Sequence, residues 1–150
     1  MNDKIKILVI DDDPEIRYTF ETLLSAEGYD VEVAETGMEA IKKTKERRFN
    51  IALIDINLPD INGIQLLTML REGTPKMRKI IVTGAPTLPN AVEAVNKKAN
   101  AYLIKPVDVP QMLEVLKEQL EQQQSEETFS EGKIEEFIQS RAREFLERNR

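Results

Sequence analysis

The chain has no cysteine and no histidine. Without cysteine, neither disulfides nor thiolate–metal sites contribute, which fits a reducing compartment. Without histidine, the chain cannot carry a phosphohistidine, an imidazole general base or a His-ligated zinc. Long hydrophobic runs are missing too: none approaches the ~20 residues that a membrane helix needs. The opening "MNDKIKILVIDDD" lacks the uncharged core and small-residue cleavage site of a signal peptide. The expectation is a cytoplasmic protein with no membrane partner. Positive charge is in deficit, 21 Lys and Arg against 27 Asp and Glu, for a formal net charge of −6. That disfavours direct nucleic-acid binding, which draws its affinity from clustered cations.

What is present suits one globular domain: 150 residues, 41% hydrophobic and 32% charged. Two periodicities alternate along it. Short β-branched runs stand at "IKILVI" (5–10), "VEVA" (31–34), "IALID" (51–55), "IIVT" (80–83) and "AYLI" (101–104). Between them, apolar residues recur three and four apart. The stripes are Ile16, Phe20, Leu23 and Leu24; Met38, Ile41 and the stem of Lys45; Ile64, Leu67 and Leu70; Leu88, Ala91, Val92 and Val95; and Val109, Met112, Leu113, Leu116 and Leu120. The punctuation agrees. Asp13 before Pro14 reads as an N-cap followed by the residue suited to the first helical position. Gly28 reads as a left-handed helix stop. "TGME" (36–39) reads as a capping box in which Thr36 and Glu39 satisfy each other's amides. Five β–α units with short connections predict an α/β fold, a parallel five-stranded sheet covered by helices on both faces.

In such sheets ligands bind beyond the carboxyl ends of the strands, where strand order reverses. Those ends are chemically loaded here. Strand one runs into Asp11, Asp12 and Asp13; strand three ends at Asp55, followed by "INLPDING". Strand four ends at Thr83-Gly84 and strand five at Lys105-Pro106. Asp11, Asp12 and Asp55 together would repel strongly in a poorly solvated cleft. A hard divalent cation such as Mg²⁺ resolves this, since it takes oxygen ligands and is commonly held by one or two carboxylates. With Lys105 added, the local charge falls close to zero. A phosphoryl group would then meet a cation, an ammonium and a hydroxyl. Asp13 is better used as the cap of the first helix than as a metal ligand.

The segments "ILVIDDDPEIR", "IALIDINLPDINGIQLL", "IIVTGAP" and "AYLIKPV", in that order and spacing over about residues 4–122, resemble the receiver domain of two-component response regulators. That chemotaxis-protein-like fold is flavodoxin-like, with strand order 2-1-3-4-5. The resemblance implies that Asp55 is the phosphoacceptor, taking its phosphoryl group from a sensor histidine kinase or histidine phosphotransfer protein. It implies Mg²⁺ held by Asp12, Asp55 and the carbonyl of Asn57, with Asp11 acting largely through water. Thr83 and Lys105 would hold phosphoryl oxygens, beside a small Gly84 that leaves room for donor or water. Lys105-Pro106 would be the family's cis peptide, aiming the lysine inward. Asn57 and Ala85 would tune autodephosphorylation, and limited self-phosphorylation from small phosphodonors is expected. Thr83 would move inward on phosphorylation and vacate space for Tyr102, altering the face formed by helix four, strand five and helix five. Lys98 departs from the pattern by standing where the family commonly has glycine; either it takes a positive φ or the helix end is built differently.

Beyond residue 122 the reading is a linker or helix extension over 123–132, then a short amphipathic helix over 133–150 with Ile134, Phe137, Ile138, Ala142, Phe145 and Leu146 at helical spacing. Arg141, Arg143, Arg148 and Arg150 alternate with glutamates and read as a solvated face. Three uses of this tail stay open: pairing in a homodimer, docking on the receiver, or binding a downstream protein target. The 109–120 stripe has coiled-coil-like spacing, which Gln119 and Gln123 weaken; packing on the sheet explains it more simply. The expected function is a phosphorylation-activated signalling receiver rather than an enzyme. The alternatives are an Asp-nucleophile phosphohydrolase using Asp11, with Asp13 as acid/base, and a pseudo-receiver that only docks.

Overall fold

β-Branched runs make the strands, and strict alternation decides which face each side chain enters. The computed structural model describes residues 4–149. Strands β1 (Lys6–Ile10), β2 (Asp30–Ala34), β3 (Ile51–Asp55), β4 (Arg78–Thr83) and β5 (Ala101–Ile104) form one parallel sheet of order β2-β1-β3-β4-β5. The connecting helices are α1 (Pro14–Ala26), α2 (Gly37–Glu46), α3 (Gly63–Leu66), α4 (Leu88–Asn96) and α5 (Val109–Arg148). Leu8, Ile10, Ala52, Ile54 and Ile81 point to one face and meet Ala40, Ile64, Leu67 and Ala94 of the α2–α3–α4 side. Their strand neighbours Ile7, Val9, Leu53, Ile80, Val82 and Leu103 point to the other, against Phe20, Leu24, Met112 and Leu116 of α1 and α5. Strand order reverses beside β1, where the chain moves outward first to β2 and later to β3.

The predicted helix ends are largely as built. The Asp13 carboxylate accepts the Glu15 amide at 2.9 Å, with Pro14 the first helical residue. Gly28 has φ +94°, beyond the last turn of α1. The box at α2 differs in one detail. Thr36 Oγ1 accepts the Glu39 amide, but the Glu39 carboxylate accepts the Glu35 amide at 3.0 Å, one residue earlier than the reciprocal bond expected. Lys98 does take a left-handed conformation, φ 65°, closing α4 with its amide donating to Val95 O.

Three of the stripes are used differently from the expectation. In α2, Ala40 and Thr44 go to the core while Met38 stays exposed, because the small residues let the helix lie close to the sheet. Regular helix in α3 ends at Leu66, yet Leu67 and Leu70 remain buried in the turns that follow. The α4 stripe points outward. Ala94 is the buried residue, while Leu88, Val92 and Val95 are 77%, 50% and 72% exposed.

From residue 123 to Arg148 the chain is continuous helix. α5 runs unbroken through 123–132 to Arg148, so no separate helix begins at 133; Arg150 lies outside the described residues. The two glutamines that weaken a coiled-coil seam have another use. Gln119 and Gln123 are both buried against the amino-terminal edge of the sheet. Arg78, first residue of β4, donates to Gln119 (2.8 Å), Gln122 (2.8 Å) and Glu126 (3.0 Å). The Gln123 amide donates to Asn50 O and Lys76 O and accepts from Asn50 Nδ2. These bonds fasten α5 to the receiver body as far as Glu126. Beyond it, Phe129, Ile134, Phe137, Ile138, Phe145 and Leu146 are all at least 60% exposed.

Candidate functional site

Parallel pairing brings the carboxyl ends of β1, β3, β4 and β5 to one edge. Asp11, Asp12 and Asp55 each offer a carboxylate oxygen there, all within 4.8 Å of one another. Asp11 is held from several sides. Its amide donates to Ala34 O, its Oδ1 accepts the Asp13 amide at 2.9 Å, and its carbonyl accepts Arg17 Nη1 at 2.8 Å. Lys105 Nζ donates to Asp11 Oδ2 at 2.8 Å and lies 3.6 Å from Asp55 Oδ2. The Lys105-Pro106 bond is cis. Asp12 is exposed, Asp55 buried.

Three carboxylates against one ammonium leave an excess of negative charge, and Asp55 carries its effect. Burial first, and then the Asp11 charge, push its carboxyl above the ordinary carboxylate range, against the opposing pull of Lys105 and the Asn57 amide. An all-oxygen donor set with surplus negative charge fits a hard divalent cation such as Mg²⁺.

The other predicted residues surround this cluster. The Asn57 amide approaches Asp55 Oδ1 at 3.4 Å, and Asn57 forms an isolated bridge with Asn62 that closes the "NLPDIN" loop. Thr83 is fully buried, its hydroxyl accepting the Ala85 amide at 3.1 Å. Gly84 and Ala85 are exposed at the rim. A side chain at Gly84 would meet only Lys105, at 3.8 Å, so the glycine leaves the rim open without being forced by contact. Tyr102 is half-buried against the α2–α3–α4 core, and its hydroxyl is buried without a hydrogen-bonding partner among the described residues. Desolvation raises the pKa of that phenol.

Two residues essential to this geometry were not singled out from the sequence, although both lie in the quoted "INLPDING". A Cβ on Gly63 would sit 2.1 Å from Asp55 O, so only glycine lets α3 start directly over the end of β3. Asp60 accepts the Gly37 and Met38 amides at 2.8 and 2.9 Å, pinning the loop to the amino terminus of α2. Those two amides hold its carboxyl below the ordinary range. An aspartate and a glycine in a turn have many ordinary uses, and their partners lie too far away in sequence for spacing to reveal them.

Residues 7–125 match the sequence profile of the response regulator receiver domain. Among curated proteins, the transcriptional regulatory protein ZraR of Klebsiella oxytoca is 34% identical over 118 residues, covering 79% of this chain and 27% of ZraR. The chain thus spans about a quarter of the length of the curated relatives it matches. Among solved structures, a CheY-like receiver domain protein from Methanospirillum hungatei is 42% identical with a TM-score of 0.79, covering 83% of this chain and 99% of that one. A response regulator from Burkholderia pseudomallei, solved with a phosphorylated aspartate, calcium and citrate, is 32% identical with a TM-score of 0.71, covering 85% and 75%. The likeness runs through every strand and into α5, and the chain belongs to the response regulator receiver domain family of two-component systems.

Proposed function

We propose that this receiver is phosphorylated on Asp55, in an Mg²⁺-dependent reaction, by a sensor histidine kinase or histidine phosphotransfer protein. The observation that carries the reading is the convergence of Asp11, Asp12 and Asp55 with Lys105 at one strand edge. Asp12, Asp55 and the Asn57 carbonyl would hold the cation directly and Asp11 through water; when bound, it neutralises charge on the cluster and on the incoming phosphoryl oxygens.

Asp55 is the nucleophile. Its carboxylate oxygen bonds to the donor's phosphorus as the P–N bond to the donor imidazole breaks, leaving an acyl phosphate. The Lys105 ammonium, 3.6 Å from Asp55 Oδ2, is placed to pair with a phosphoryl oxygen. The Thr83 hydroxyl keeps its own proton to donate, since its bond to Ala85 uses only a lone pair. Asn57 and Ala85 flank the path of water to the acyl phosphate and set its lifetime.

The output runs through the α4–β5–α5 face. Leu88, Val92 and Val95 of α4 and Ile104 of β5 are half or more exposed, an apolar surface open to a partner. Thr83 drawn toward a phosphoryl group would rearrange the packing around Tyr102, whose hydroxyl has no partner to lose among the described residues. The phosphohydrolase reading would need Asp13 as acid/base, but its carboxylate caps α1. The decisive experiment is intact-mass measurement with Mg²⁺ and a small phosphodonor. One added phosphoryl group is expected on the natural chain and none on Asp55→Asn; labelling that persists in the variant would overturn the assignment.

A further inference from the structure

Residues 127–148 of α5 extend past the Arg78 and Gln123 anchors as exposed helix. Most helix stability in proteins comes from packing of an amphipathic face, and among the described residues this segment makes no such packing on the receiver body. It carries an apolar stripe in search of a surface. At about 100° per residue, Ile134, Ile138, Ala142 and Phe145 fall on one line, with Phe137 and Leu146 on its flanks. The line is turned by about 90° from the side on which Gln119, Gln123 and Glu126 grip the receiver, so it does not continue the docked face.

The charge pattern identifies the occupant. Residues 126–136 contain five glutamates and one lysine, and residues 141–150 contain four arginines and two glutamates. The segment is therefore acidic at one end, basic at the other and complementary to itself when reversed. Glu127 and Glu131 prolong the apolar line toward the receiver. Parallel, in-register pairing would stack each of them on its own copy, whereas antiparallel pairing sets them against the half that holds Arg141 and Arg148.

We propose that residues 127–148 pair with the same segment of a second copy of this chain, antiparallel, about a twofold axis near Ile138. In that register Glu127 of one chain lies opposite Asn149 of the other, so the whole exposed segment is used and the two receiver bodies stand at opposite ends. Ile134, Phe137, Ile138, Phe145 and Leu146 are each at least 60% exposed. Ile134, Ile138 and Phe145 of two copies, six side chains at roughly 120 Å² each, supply about 700 Å², and part of Phe137 and Leu146 on the flanks adds to this toward the roughly 1,200 Å² at which stable interfaces begin. The pairing does not depend on phosphorylation of Asp55.

The test is sedimentation velocity of the 150-residue chain over a concentration series, with and without Mg²⁺ and beryllofluoride. A dimer is expected in every condition and in Asp55→Asn as well, so loss of the phosphoacceptor reading would leave it standing. Ile134→Glu with Ile138→Glu should weaken the dimer roughly tenfold or more while thermal unfolding of the receiver body is preserved. Orientation is read by cysteines introduced into this cysteine-free chain. A chain with Glu131→Cys should cross-link to one with Phe145→Cys, and neither should cross-link to itself, because disulfides need Cα atoms within about 7 Å. Self-linking of Glu131→Cys would mean a parallel pair and overturn the proposal. So would a monomer throughout the series, a dimer indifferent to the Ile134 and Ile138 changes, or a tail occupied only by a different protein.

Discussion

Gly63→Ala puts the site's geometry to a direct test. The new Cβ would sit 2.1 Å from Asp55 O and 2.8 Å from Asp55 C and Ile56 Cα. Ordinary contact begins at about 3.4 Å, so the strand end or the start of α3 must yield by roughly 1.3 Å. All the offending atoms are backbone, which leaves no side chain to swing aside. Overpacking of this kind costs about 1–3 kcal/mol, which lowers the melting temperature of a domain this size by roughly 3–10 °C. The same shift is applied to the residue that carries Asp55, whose carboxylate shares a 4.8 Å cluster with Asp11 and Asp12. Displacement of a reacting group by about 1 Å can lower a rate on the order of 100-fold. Phosphorylation from a small phosphodonor, followed by intact mass, should therefore slow by at least about tenfold. Gly132→Ala is the control: the added Cβ meets nothing within 4 Å, and the helix gains about 0.8 kcal/mol. A Gly63→Ala protein that melts and reacts like the natural chain would refute the steric argument.

Other outcomes follow from single contacts. Lys98→Gly should stabilise the chain by about 1 kcal/mol, because it relieves a side chain at positive φ; a loss of stability in urea unfolding would contradict this. Gln123→Ala takes the donor from Lys76 O and the acceptor from Asn50 Nδ2, while Asn50 O keeps the Arg78 amide, and should cost about 2 kcal/mol, read as an earlier urea midpoint. For Asp55, burial and Asp11 raise the folded pKa above an unfolded value of about 3.9. A raised acid loses stability as pH climbs from the unfolded value through the folded one, so at neutral pH ionised Asp55 opposes folding. Asp55→Asn should accordingly melt higher than the natural chain in chelator, and Mg²⁺ should narrow the gap. Equal melting temperatures in chelator would show that the strain on Asp55 is absent.

The sheet was legible because its central strands β1, β3 and β4 are buried on both sides and therefore read as β-branched runs, and because Asp13, Pro14 and Gly28 mark helix ends by chemistry that acts within a few residues. The strand-end aspartates, Thr83 and Lys105 were legible by position alone, since a parallel sheet must bring such ends together. Contacts across long sequence distances were hidden. Gln119 and Gln123 are polar residues in an apolar stripe, and only Arg78, Asn50 and Lys76 explain them. Gly63 serves a strand eight residues back, and Asp60 a helix more than twenty residues back. The outward stripe of α4 shows the limit from the other direction: periodicity reveals an amphipathic helix but not which side of it faces the sheet.

The unbroken α5 also has a mechanical consequence. Its anchored part ends at Glu126, and its free part runs about 33 Å further to Arg148. A rigid rod amplifies rotation at its root, so a 5° tilt at the Arg78 anchor would displace the tip by roughly 3 Å. α5 itself begins at Val109, four residues after Lys105 in the chain. Gly132, the one glycine along the rod, is where it bends most easily, and its stiffness determines how much of a small motion at the sheet arrives at the far end.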